Sequence, residues 1–164
     1  MKKKKASART KRLSHYDRAG RARMVDVSTK PATHRQALAS VLVRMKSETL
    51  KKIKNNPKGD PLEISRVAGI AAAKRTPDLI PLCHPLLLSH IDVRAEFCKN
   101  GISITAAVRS TGSTGVEMEA LTGAAVAALT VYDMCKAADH GIEITELKLL
   151  YKSGGKSGEF RASK

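Results

Sequence analysis

Two stretches of alternating and β-branched residues, Leu86 to Cys98 and Ile102 to Thr111, flank the turn Lys99-Asn100-Gly101. Period-two segments on either side of turn residues specify an antiparallel hairpin, because strand side chains alternate faces and the turn sets which residues pair. A hairpin of that length commits the chain to an antiparallel sheet with an apolar face that must be covered. Helical segments are at hand to cover it. Gly115 to His140, rich in Ala and Leu and closed by Gly141, is the longest of them. Asp60 is placed to cap another, with Pro61 at its first position, an apolar stripe of Ile64, Val67, Ala68 and Ala71, and an end near Arg75 ahead of Pro77.

The remaining segments fit the same plan. Met24 to Val27 reads as a short extended piece, and Gln36 to Met45 as a strand through Leu38, Val41 and Val43. Ser47 is an N-cap for a short helix whose end suits Lys51, Lys52 and Lys54. Asn55 to Asp60 is a turn cluster, Asp78 to Pro85 a proline-bounded loop, Ile142 to Lys152 a last strand, and Ser153 to Lys164 a Gly-rich basic tail. Strands segregated from helices predict an α+β fold with helices packed on one face of the sheet. No internal repeat or linker divides the chain. Its 164 residues are expected to form one domain over 13–164 behind a disordered basic arm at 1–12.

Charge narrows the partners. Thirty Lys and Arg against fifteen Asp and Glu give a net charge of +15, a field that favours anions such as nucleic acid, anionic lipid or a polyphosphate metabolite. Part of this is local, since residues 2–12 carry seven cations and no acid, leaving 23 cations against 15 acids beyond them. There is no Trp, and Phe and Tyr together number five, too few for the base stacking that single-stranded nucleic-acid binders use. Three cysteines without CxxC spacing point to a reducing compartment rather than a disulfide framework or structural zinc. The cationic N-terminus lacks the apolar run of a secretory signal, and Leu121 to Met134 is too short to span a bilayer. A cytoplasmic protein is expected.

Several polar groups could carry chemistry. Lys58-Gly59-Asp60 sets a lysine on a flexible turn at a helix start, where backbone N–H groups and the ammonium can hold phosphate, although the same tripeptide is ordinary turn chemistry. Leu82-Cys83-His84-Pro85 offers a histidine as acid, base or donor; Cys83 and His84 have no third ligand at a suggestive spacing, so no metal is expected. Glu117 and Glu119 open the long helix, and Asp133 and Lys136 share a face farther on and can pair. Glu119 and Asp133 are fourteen residues apart, within ~40° of one face but about 21 Å apart along the axis. One small reacting centre cannot touch both from a single helix, so a shared site requires a long ligand or two subunits. Gly155-Lys156-Ser157 imitates the end of a P-loop, but Leu150 stands where the earlier Gly is needed and no helix follows.

As an ordered set, Met24-Val25-Asp26-Val27-Ser28, Lys58-Gly59-Asp60, Ala68-Gly69-Ile70, Ala72 to Thr76 and Leu79 to Leu86 resemble one family, the cyclic pyranopterin monophosphate synthases, or MoaC. Thr114 to Thr122, Tyr132 to Ala137 and Ser153 to Gly158 complete the match, which runs from about Leu13 to the tail. The resemblance implies a ferredoxin-like two-layer sandwich, assembled as a homohexamer (a trimer of dimers) with sites between subunits. It implies a cofactor-free lyase of molybdenum cofactor biosynthesis. The reaction converts 3′,8-cyclo-7,8-dihydroguanosine 5′-triphosphate to cyclic pyranopterin monophosphate and diphosphate. Asp133, Lys58 and Lys136 are then catalytic, and Leu82, Cys83, His84, Glu117, Met118, Glu119 and Lys74 contact substrate, with Arg75, Lys152 and Lys156 as further phosphate candidates. Pro61 departs from the aliphatic residue commoner in the family, and residues 1–12 lie outside its pattern. A basic RNA-binding module would account for the charge but not for Glu117, Glu119 and Asp133, and an inactive scaffold would not need every polar block.

Overall fold

A computed structural model describes residues 15–17, 19–53 and 59–163 of the chain. The basic arm and Lys58 lie outside the described residues. The elements run β1 (Thr33–Arg44), α1 (Ser47–Ile53), α2 (Pro61–Lys74), α3 (Thr76–Leu79), β2 (Leu88–Cys98), β3 (Gly101–Gly112), α4 (Glu117–Cys135), β4 (Glu143–Ser153) and β5 (Phe160–Arg161). The strands form one antiparallel sheet in the order β2-β3-β1-β4-β5. β1, α2, β2, β3, α4 and β4 thus follow the ferredoxin-like path, with β1 and β3 central. The α+β expectation holds.

The hairpin is where the sequence puts it, with Lys99 and Asn100 at the turn and Cys98 paired with Gly101. Strand parity then decides which side chains form the core. Ala37, Ala39, Val41 and Val43 of β1, Ile102, Ile104, Ala106 and Val108 of β3, and Val93 and Ala95 of β2 are buried. Leu38, taken with Val41 and Val43 as one row, has the opposite parity and is only half-buried. α4 closes the layer with Ala120, Ala124, Ala127, Ala128 and Val131. Its small side chains let the helix lie close to the sheet, which is why so few aromatic residues suffice.

α2 begins as expected: the Asp60 carboxylate accepts the Leu62 N–H at 2.8 Å, and Pro61 occupies the first turn. Its buried face is not the one the aliphatic residues suggest. Ile64 and Val67 are 48% and 58% exposed, while Pro61, Ser65, Gly69, Ala72 and Ala73 face inward. The reason is steric. α2 crosses α4 at Gly69 and Gly123, where a Cβ on Gly69 would sit 2.8 Å from the Gly123 carbonyl oxygen, so only small residues fit the contact.

Other boundaries shift by local chemistry. Met24 to Val27 forms no strand, and Tyr16 and Ala22 make an isolated bridge ahead of it. Thr76 to Leu79, which overlaps the expected Asp78-to-Pro85 loop only at Asp78 and Leu79, is a single helical turn anchored by the Thr76 hydroxyl, which donates to the Ala73 carbonyl at 3.0 Å. α4 ends at Cys135 rather than His140, in turns that lead to Gly141. No helix among the described residues is long and apolar enough to cross a membrane.

Candidate active site

At the end of the sandwich where β1 begins and α4 begins, a cleft of about 630 Å³ opens between the loop before β1, the loop before β2, the start of α4 and the turn after β4. The alternation that builds the core also builds this cleft. Arg35 has the parity of Ala37 and Ala39, so β1 projects it onto the helix-covered face, beyond the end of the apolar rows. It is 9% exposed. Its Nε donates to the Gly112 carbonyl at 3.1 Å and its Nη2 to the Ser113 carbonyl at 3.2 Å. Gly155, at φ 72°, packs on the guanidinium so closely that a Cβ there would stand 1.6 Å from Nη1. Lys30 and Lys156 complete a cationic end of the cleft, and the Ser113 hydroxyl donates to the Lys30 carbonyl at 3.1 Å.

The other wall carries groups that can exchange protons. His84 donates from Nε2 to the Val25 carbonyl at 2.8 Å; that carbonyl can only accept, so the bond assigns the tautomer and leaves Nδ1 as the lone-pair nitrogen of the neutral ring. The Val25-to-Val27 loop is itself shaped by Asp26, whose carboxylate accepts from the backbone and hydroxyl of Ser28 at 2.9 and 2.7 Å. Glu119, in the first turn of α4, is 3% exposed. Burial pushes its carboxyl above the ordinary glutamate range, its own backbone N–H partly offsets this, and the neighbouring Glu117 charge adds to the rise. Burial and the Glu119 charge also push the Cys83 thiol up, which keeps it protonated and unsuited to nucleophilic attack. Glu117 is bridged to Lys152 at 3.4 Å, and the Lys152 ammonium also contacts the Ser157 hydroxyl.

The cleft therefore brings together Leu82, Cys83, His84, Glu117, Met118, Glu119 and Lys156. Lys74, at the end of α2, and Arg75, paired with Asp78 at 3.4 Å, are not among its lining residues. Asp133 and Lys136 are not either. They pair at 2.7 Å near the opposite end of α4, about 24 Å along the axis from Glu117. The pairing agrees with their spacing, but their side chains, set beside a run of buried alanines in the sequence, are 66% and 46% exposed. The Asp133 carboxylate holds the Lys136 ammonium above its ordinary range. Arg35, Lys30, Ser113 and His15 line the cleft without having been singled out in the sequence. Arg35 had a signal, since it extends the buried parity of β1; the others depend on loop geometry.

A family model described as the MoaC family matches residues 24–155. The chain belongs to the MoaC family. A cyclic pyranopterin monophosphate synthase of Roseiflexus sp. (strain RS-1) is 56% identical to it over 152 residues, which span 90% of this chain and 96% of that protein. Another, from Roseiflexus castenholzii (strain DSM 13941 / HLO8), is 56% identical over 151 residues with the same coverage. Membership in MoaC covers every element that shapes the cleft except the segment before residue 24 and the tail after residue 155. An enzyme of this family requires a ligand pocket, and the cleft has the size and mixed polarity of one.

Proposed function

We propose that the chain is a cytoplasmic cyclic pyranopterin monophosphate synthase of molybdenum cofactor biosynthesis. It is a lyase that converts 3′,8-cyclo-7,8-dihydroguanosine 5′-triphosphate to cyclic pyranopterin monophosphate with release of diphosphate. The observation that carries the reading is the mixed lining of the cleft: the cations Arg35, Lys30 and Lys156, together with His84 and a buried Glu119 whose carboxyl burial holds above its ordinary range. A substrate with a triphosphate at one end and a purine-derived ring system at the other fits that lining.

Chemistry assigns the groups. Diphosphate leaves with growing negative charge, which a fixed guanidinium and ammonium groups stabilise by roughly 3 kcal/mol per well-placed donor. Arg35 is suited to this because two backbone carbonyls already fix its orientation. Ring opening and rebuilding require protons to be delivered and removed. Glu119 in its protonated form can donate, and the Nδ1 lone pair of neutral His84 can accept.

Asp133 and Lys136 enter this scheme from a second copy of the chain. They lie at the far end of α4 from the cleft, so a homo-oligomer that sets that end against a neighbour's cleft completes one site from two subunits. A homohexamer, a trimer of dimers, does this with two-fold contacts, and Lys58, outside the described residues, belongs to the same catalytic group. Lys74 is kept as a substrate contact only in that assembled site. No cofactor is needed for these steps.

The test is turnover of the cyclised guanosine triphosphate, followed by diphosphate release and by appearance of the cyclic phosphate. Lys136→Ala and His84→Ala are each expected to be inactive. Coexpressed so that subunits mix, they should regain roughly a quarter of the wild-type sites, because a two-fold mixed pair leaves one site intact. No turnover by the wild-type chain would sink the assignment, and no recovery in verified mixed oligomers would sink the shared site.

A further inference from the structure

The cleft contains a second imidazole that the scheme above leaves unused. His15 lies ahead of the segment that the family model matches and lines the same cleft as His84. The two rings are held differently. His84 uses Nε2–H on the Val25 carbonyl. His15 has its Nδ1 sealed from solvent with no hydrogen-bond partner among the described residues.

That burial selects a tautomer. A proton on Nδ1 would leave a sealed N–H without an acceptor, and orphaned buried N–H groups are rarer and costlier than under-used lone pairs. The proton therefore sits on Nε2, the other ring nitrogen. The backbone makes the placement rigid. The His15 carbonyl accepts the Arg23 N–H at 2.9 Å, Tyr16 and Ala22 bridge, and Asp17 ties the turn by accepting from the Ala19 and Arg21 N–H groups at 2.8 and 2.9 Å. Two residues on from Arg23, Val25 holds His84, whereas Lys30 sits beside Ser113 and the cationic end. His15 is thus tethered on the His84 side of the cleft.

We propose that His15 is a further substrate-binding residue, whose Nε2–H donates to an oxygen or ring-nitrogen acceptor on the purine-derived half of the substrate. The inference rests on the functional reading above. A ring kept in place by backbone bonds, whose Nδ1 has no hydrogen-bond partner among the described residues, is arranged to read a ligand rather than to brace the fold.

Steady-state kinetics of the full chain with the cyclised guanosine triphosphate test this with two variants. His15→Phe keeps the ring and removes the donor; His15→Gln restores an N–H near the Nε2 position. His15→Phe should lower kcat/KM by about tenfold or more, mainly through KM. Its melting temperature should equal or exceed that of the wild type, because a sealed unpaired nitrogen becomes carbon, and inhibition by inorganic diphosphate should be unchanged. His15→Gln should recover most of kcat/KM. Wild-type kinetics in His15→Phe, or equal losses in both variants with a fall in melting temperature, would overturn the proposal. Weakened diphosphate inhibition in His15→Phe would overturn the assignment to the purine-derived half. Because the wild-type chain is measured alongside, a failure of the function itself appears as absent turnover in every sample and overturns both readings.

Discussion

The crossing of α2 and α4 permits a prediction whose sign can be worked from distances. Gly69 and Gly123 face each other where the helices approach most closely. A Cβ on Gly69 would meet the Gly123 carbonyl oxygen at 2.8 Å, Ala127 Cβ at 3.1 Å and Val93 Cγ1 at 3.2 Å. Three tight contacts, one of them backbone, cannot all relax without moving α4 or β2. Overpacking of this kind costs about 1–3 kcal/mol, and the gain from replacing glycine by alanine within a helix is about 1 kcal/mol. Gly69→Ala should therefore be destabilising by roughly 1 kcal/mol net. The converse change, Gly123→Ala, meets the Gly69 oxygen at 3.2 Å but Ala73 and Ala106 only at 3.5 and 3.6 Å. There the helix gain prevails, and the outcome lies between neutral and about 1 kcal/mol stabilising. In a domain of this size 1 kcal/mol moves the melting temperature by about 2–4 °C. Thermal denaturation followed by circular dichroism, with the oligomeric state checked for each variant, is the measurement. A Gly69→Ala protein that melts at or above the wild type would refute the claim that backbone contact sets the spacing of the two helices. The double variant should be worse than the sum of its parts, since both new methyl groups compete for one gap.

Two further outcomes concern the cleft. The buried Glu119 carboxyl sits above its ordinary range of 4.5 in the folded chain, so the folded state binds more protons than the unfolded one across that window, and stability falls as pH rises through it. Glu119→Gln should remove that slope: equal stability near pH 4, greater stability than wild type near pH 7, and lost turnover, all visible in urea titrations and the diphosphate assay. Unchanged pH dependence would show that the carboxyl is not held protonated by burial. Gly155→Ala, by driving a methyl group into Arg35 Nη1, should raise KM about tenfold or more, the scale of a displaced charge-assisted contact. Gly158→Ala, at φ 65° with nothing within 4 Å of the new methyl, carries the same backbone strain without the displacement and is the control. Equal KM values in the two variants would remove Arg35 from the cationic end.

Local patterns determined much of this protein. The hairpin about Lys99 and Asn100, the Asp60–Pro61 helix start, the long Ala-rich helix and the final strand are each specified by residues near one another in the chain, so they were legible without a structure. The family blocks likewise marked Leu82 to His84 and Met118-Glu119, which the cleft does bring together. What required the tertiary structure depends on contacts between distant residues. The inward face of α2 is small rather than aliphatic because α4 presses against Gly69, and no periodicity within α2 records that. Arg35 reaches the cleft because β1 outruns the helices that cover it, and its partners Gly112, Ser113 and Gly155 are remote in sequence. The separation of Asp133 from Glu119 could be counted along the helix from the sequence alone; that the cleft opens at the Glu119 end and not at the other was decided by how the loops close over the sheet.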